Sequence, residues 1–299
     1  MSLRLLLPED GVTDLLTTWP DEPRVYERGT TQLDRTVTPD VLGSYIDTGC
    51  VPAAEVAVMK AAPALHPGCF MTGGRTDPAK LRKLHEDGYT VRLGNLQRVI
   101  PFMAGLAQEI QRETGCSNYA HAFLTPPGTQ GLLHHWDQQM AVIVQISGVK
   151  RWQLWRPEYH SPMREYQESF RVWQNDYLDK WQSTGPDMEV DLKPGQSLLL
   201  PRGWVHNPHA LESDERSIHL TFAIRERTPL WLAEQLVASA IEKPEFRQVI
   251  LPGDIIDAAL SEQLAETRQT LIHFLEQIST DAFAKTVRQR ALTELDYTT

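Results

Sequence analysis

Between residues 119 and 155 the apolar pattern changes to period two, and Pro and Gly break it at short intervals. The runs AHAFLTPPGTQG, LLHHWD, QQMAVIVQIS and GVKRWQLWRP are rich in β-formers, as are MEVDLKPGQSLLLPRGWVHN and SIHLTFAI further on. Strand side chains alternate between two faces, so such runs suit sheets with one face buried. The first four runs predict four strands, the last two joined by a tight turn at Ser147-Gly148. Short strands joined by turn residues fit an antiparallel barrel or jelly roll. A parallel α/β sheet would need crossovers of about a dozen residues or more.

The flanks read differently. Over 77–117 the chain predicts a short helix, the strand YTVRL, and a helix with Val99, Phe102, Met103, Leu106 and Ile110 on one side. The polar, aromatic-containing stretch 156–187 interrupts the β pattern and reads as an insertion or lid-like segment. Beyond 228 the period returns to 3.6. Ile256, Leu260, Leu264, Leu271, Phe274, Leu275 and Ile278 form an apolar stripe with charges opposite. The expected organisation is a lead-in over 1–90 that packs on a barrel, the barrel over 91–228, and a helical region over 229–299.

Composition narrows the function classes. Hydrophobic residues at 41% and charged residues at 23% of 299 residues supply a sizeable core and argue against wholesale disorder. With 29 Lys plus Arg against 39 Asp plus Glu, the net charge of −10 disfavours nonspecific attraction to nucleic acid or anionic membrane. The apolar stretch near the start, LRLLL, is too short for a signal core, and no later run is long enough for a membrane span. Cys50, Cys69 and Cys116 are odd in number and widely spaced, with no CxxC pair, which fits a reducing cytoplasm and excludes a thiolate metal site. Seven of the ten histidines fall between 121 and 219. A metal site here must therefore use imidazole and carboxylate.

His135 and Asp137 lie two apart in a segment predicted to be a strand, so both leave the same face, whereas His134 leaves the other. His206 follows a turn-rich stretch and is the best third candidate; His209 is the shifted alternative. Two imidazoles and a carboxylate form the facial triad of non-haem Fe(II) oxygenases, which leaves open positions on the metal. H-x-D alone is a weak signal: the same residues could make a hydrogen-bonded barrel pair beside a surface histidine.

The surrounding residues add specificity. H-x-D, a lysine in the turn GVKRW, then P-G-x-x-x-x-L-P-x-G-W-x-H and a closing strand SIHLTFAI occur in order. This arrangement resembles the JmjC-type, cupin-like oxygenases that depend on Fe(II) and 2-oxoglutarate. It is most similar to the protein-hydroxylase branch, which contains the ribosomal oxygenases and the asparaginyl hydroxylase that acts on hypoxia-inducible factor. The resemblance covers about 119–226 and implies a double-stranded β-helix core with flanking helices and a helical C-terminal region. It implies His135, Asp137 and His206 as iron ligands and Lys150 as the partner of the distal carboxylate of 2-oxoglutarate. A cosubstrate with one carboxylate on the metal needs a cation for the other. Family members often carry Asn or Tyr before H-x-D; this chain has His121 and Phe123. Thr125, Ser217, His219 and Thr221 are the candidate replacements. Trp136, Trp152, Trp155 and Trp204 suit core packing and also a wall around a reactive metal.

The implied activity is hydroxylation of a C–H bond by O2 and 2-oxoglutarate, releasing succinate and CO2, with demethylation as the same reaction on an N-methyl group. Within the branch, substrates are usually protein residues, and the helices after the barrel usually make a dimer. A protein or peptide substrate and a homodimer through 229–299 are thus expected, with no membrane or direct nucleic-acid partner. A small-molecule or peptide-natural-product hydroxylase would keep the same iron and 2-oxoglutarate residues. A non-oxidative metal-binding cupin would need no Lys150.

Overall fold

The computed structural model describes residues 2–61, 63–164, 166, 175–256 and 259–294. Its strands are β1 Arg24–Glu27, β2 Val56–Met59, β3 Met71–Thr72, β4 Arg75–Thr76, β5 Thr90–Leu93, β6 Asn118–Thr125, β7 Met140–Ser147, β8 Lys150–Trp155, β9 Met188–Leu192, β10 Gln196–Leu200, β11 Val205–Ala210 and β12 Ser217–Ile224. Seven of them form one sheet in the order β1-β10-β7-β12-β6-β5-β2, and β11-β8-β9 form a second. Every pairing within these two sheets is antiparallel. The fold is the jelly roll, with flanking helices and a helical C-terminal region.

Alternation assigns the faces. Ile218, Leu220, Phe222 and Ile224 of β12 join Ala120, Ala122 and Leu124 of β6 and Val142 and Val144 of β7 in one buried cluster. That cluster also takes in Leu3, Leu6 and Leu33 from the N-terminal segment and Met103, Leu106 and Ile110 from the helix Pro101–Thr114. The N-terminal third therefore shares its core with the outer face of the large sheet. The opposite parity faces the small sheet: Ala141, Ile143, Leu198 and Leu200 cluster with Trp152, Leu154 and Leu192. Burying such side chains contributes about 1.5–3 kcal/mol each, which fixes the register, because a one-residue slip would swap the faces.

Several elements differ from the sequence-based expectation. LLHHWD is not a strand; only His135 makes an isolated bridge, to His206. The helix expected near 99–110 is divided, because Pro101 cannot donate a backbone hydrogen bond and instead starts a new helix at its first position, leaving Leu96–Val99 separate. The stripe from 256 likewise spans two helices, Pro252–Ile256 and Leu260–Glu276, and a further helix covers Thr280–Thr293. Of the insertion 156–187, the helix Asn175–Thr184 is described; Glu165 and 167–174 lie outside the described residues.

The chain divides into two compact units, Met1–Arg225 and Glu226–Glu294. Within the second, Arg227 pairs with Glu294 at 2.5 Å and Arg290 donates to Gln235 at 3.0 Å. Ile241, Val249, Leu251, Ile256 and Leu264 of this unit are exposed. Among the described residues, no helix is long and apolar enough to cross a membrane.

Candidate metal centre

An irregular connection and a strand meet at the site. The connection between β6 and β7 carries His135 and Asp137, and the start of β11 carries His206. His135 N donates to His206 O at 3.2 Å, His206 N donates back to His135 O at 2.8 Å, and Gly203 N donates to Asp137 O at 2.8 Å. These backbone bonds bring the irregular His135–Asp137 segment against β11. The ligand atoms of His135, Asp137 and His206 all lie within 4.8 Å of one another.

The imidazoles are oriented by their outer nitrogens. His135 Nδ1 lies 2.7 Å from Leu133 O and His206 Nδ1 lies 3.0 Å from Trp204 O. A carbonyl only accepts, so each Nδ1 carries the proton, and in the neutral ring this leaves Nε2 as the atom that can ligate a metal. His206 Nε2 is 3.8 Å from Asp137 Oδ2. Burial and the neighbouring His135 ring push His206 down to about 4, so it is neutral at pH 7. His134 turns away and packs on Trp155 and Trp181, at 4.8 and 6.0 Å between ring centroids. His209 has the opposite strand parity to His206 and sits opposite Arg151 of β8.

Deeper in the barrel, Lys150 is only 2% exposed. Its Nζ donates to Thr125 Oγ1 at 2.6 Å, and Thr125 Oγ1 also accepts from Thr90 at 3.1 Å. Burial alone lowers the Lys150 amine to about 7. Ser217 Oγ accepts from Gln145 Nε2 at 2.9 Å. Thr221 shares the interior face, opposite His121 and Ile143. His219 is fully buried, stacked on Phe123 at 4.8 Å, with Trp152 edge-on at 5.3 Å. Among the described residues, His219 Nδ1 and Trp152 Nε1 have no hydrogen-bond partner. Burial and the Lys150 charge hold His219 well below the usual histidine range.

This donor set fits a metal plus a dicarboxylate. Three neutral or anionic oxygen and nitrogen ligands converge, and beyond them, among the described residues, a buried ammonium lacks a carboxylate partner while two buried N–H-capable groups are unsatisfied. Buried polar atoms are rarely left so, and a ligand with several acceptor oxygens would satisfy them. Gln145, which sequence reasoning missed, becomes visible only through a register shift between β12 and β7 at Ile218/His219 that sets it opposite His219.

Comparison with known proteins agrees with this geometry. Residues 92–230 match the JmjC domain. The bifunctional lysine-specific demethylase and histidyl-hydroxylase NO66 of Drosophila persimilis is 29% identical over 214 residues, 69% of this chain and 30% of that protein. Ribosomal oxygenase 1 of Danio rerio is 30% identical over 171 residues, 56% of this chain and 30% of its own length. The chain thus spans 30% of the length of each of these two relatives. In fold it is similar to YcfD, a ribosomal oxygenase from Escherichia coli solved in complex with cobalt and 2-oxoglutarate. That match has a TM-score of 0.60 and 16% identity, over 98% of this chain and 73% of YcfD. The H-x-D and histidine segments thus meet within the stretch that is similar to the JmjC domain, in a fold similar to that of a ribosomal oxygenase.

Proposed function

We propose that this protein is an Fe(II)- and 2-oxoglutarate-dependent oxygenase that hydroxylates a side chain of a protein or peptide. The single observation that carries the reading is the pairing of a two-histidine, one-carboxylate cluster with a buried, carboxylate-free lysine in one barrel. A non-oxidative cupin has no use for that lysine. When bound, iron, 2-oxoglutarate and O2 supply the oxidative step, with succinate and CO2 as co-products.

The chain's own residues orient and insulate. His135 and His206 present Nε2 and hold their protons on Nδ1, and Asp137 supplies the anionic ligand. Lys150, steadied by Thr125, takes the distal carboxylate of the cosubstrate in a charge-assisted bond. Of the candidate contacts, Thr125 acts by placing the ammonium and Ser217 by anchoring Gln145, while Thr221 lies on the interior face opposite His121. Trp152 and the stacked Phe123–His219 pair exclude water.

Protein substrates are supported by the relatives' own designations as a histidyl-hydroxylase and a ribosomal oxygenase. A homodimer through 229–299 would cover the exposed apolar residues of the second unit, and sedimentation at varied concentration tests it. Free Cys50, Cys69 and Cys116 suit a reducing compartment such as the cytoplasm.

The test is anaerobic reconstitution with Fe(II) and 2-oxoglutarate followed by O2, with succinate measured. Release of succinate that rises with an added protein substrate is expected. Iron binding without 2-oxoglutarate binding or turnover would overturn the reading. Mass spectrometry of treated lysate then separates substrates: oxygen added to peptides supports a protein hydroxylase, and oxygen found only on metabolites refutes it.

A further inference from the structure

We propose that the helix Asn175–Thr184, between β8 and β9, together with Tyr159, clamps the metal-ligand segment through Trp181, a positioning residue that packs on Trp136 and so sets where His135 and Asp137 stand. The inference rests on the reading of His135, Asp137 and His206 as metal ligands.

The H-x-D segment is not a strand, and besides the His135–His206 bridge and the bond from Gly203 N to Asp137 O it is held by side-chain packing. Trp136, the residue between them, is only 2% exposed and belongs to a buried cluster separate from both barrel cores: Trp136, Trp155, Trp181 and Val205. Val205 precedes His206, so the cluster touches both ligand-bearing stretches. Trp181 comes from the insertion helix Asn175–Thr184 and stands edge-on to Trp136 at 6.3 Å, while its ring stacks near His134 at 6.0 Å. Tyr159, from the insertion's other end, lies 5.9 Å from Trp136.

The helix is itself tied down. Trp155 Nε1 donates to Trp181 O at 3.0 Å, Trp181 Nε1 donates to Glu158 Oε1 at 2.9 Å, and the Tyr159 and Tyr177 hydroxyls are 2.6 Å apart. Lys180 pairs with Glu158 at 2.7 Å. Both ends of the insertion therefore converge on the residue that sits between the ligands. Groups that orient ligands without touching the metal are commonly worth 10–100-fold in metal affinity.

The experiment measures Mn(II) affinity of the full chain by competition with a chromophoric chelator, alongside thermal melting in EDTA. Trp181→Ala is expected to weaken Mn(II) binding about tenfold or more, and Trp181→Phe to restore most of it. Leu42→Ala, in the outer core and not in this cluster, serves as a control that lowers stability and keeps the affinity. If Trp181→Ala does not fold, Trp181→Leu takes its place with the same expectation. Unchanged Mn(II) affinity in the Trp181 variant, or an equal loss in Leu42→Ala, overturns the clamp. Wild-type protein that binds no Mn(II), or His206→Ala that binds it as well as wild type, instead overturns the ligand assignment on which it rests.

Discussion

His135 and His206 exchange both backbone hydrogen bonds across an isolated bridge, at 3.2 and 2.8 Å, while their rings approach to 4.1 Å between centroids. Main-chain bonds thus hold two side chains of one sign of donor side by side. The arrangement is costly if both become protonated and useful if both give a lone pair to one cation.

Because the bridge uses backbone atoms, His135→Ala and Asp137→Ala should leave the fold nearly intact. The expected result is a metal-free melting temperature within a few degrees of wild type, with succinate release abolished. Differential scanning calorimetry in EDTA, together with the succinate assay, checks both halves; retained turnover in either variant would remove that residue from the ligand set.

Lys150→Met exchanges a buried, carboxylate-free ammonium for an apolar chain of similar length. Loss of a charge-assisted bond should weaken 2-oxoglutarate binding by about 10–100-fold. At the same time the metal-free, ligand-free protein should become more stable, since the burial cost of the charge disappears. Calorimetric titration and urea unfolding measure the two effects, and a variant that loses stability without losing affinity would contradict the role given to Lys150.

Burial holds the Lys150 amine at about 7 in the folded protein against 10.5 for an exposed lysine. Below about pH 7 both folded and unfolded chains carry the proton and the burial penalty is present in full. As pH rises from about 7 toward 10.5 only the unfolded chain keeps it, so the penalty is progressively lost. The stability gained in Lys150→Met should therefore shrink over that window. Binding of 2-oxoglutarate at pH 8.5 should take up about one proton, because a carboxylate partner restores the ammonium. Titration calorimetry in buffers of different ionisation enthalpy reads the uptake directly; none at pH 8.5 would mean that Lys150 stays charged without a ligand.

Gly148 turns β7 into β8 at φ +60°, and a Cβ there would stand 2.7 Å from Arg216 O. Gly148→Ala should cost about 1–3 kcal/mol. Gly105, in the helix Pro101–Thr114, has open space around it, and Gly105→Ala should stabilise by about 0.5–1 kcal/mol. Urea unfolding of the pair tests the turn geometry, and equal effects would refute it.

The barrel was legible because its signals are local. Alternation in SIHLTFAI and QQMAVIVQIS, with turn glycines at 148 and 195, dictates strands and faces by sterics and burial alone. H-x-D, Lys150 and His206 could be marked from spacing and resemblance. The two-residue spacing of His135 and Asp137 suggests strand parity, but their segment is held by a bridge to β11. What only the tertiary structure decided are pairings between distant positions: Lys150 on Thr125, Gln145 on Ser217 across a bulge, and Trp181 on Trp136. Those contacts close loops of 25 to 72 residues. A period in the sequence says which face a side chain takes, whereas the partner it meets there depends on how every intervening element packs.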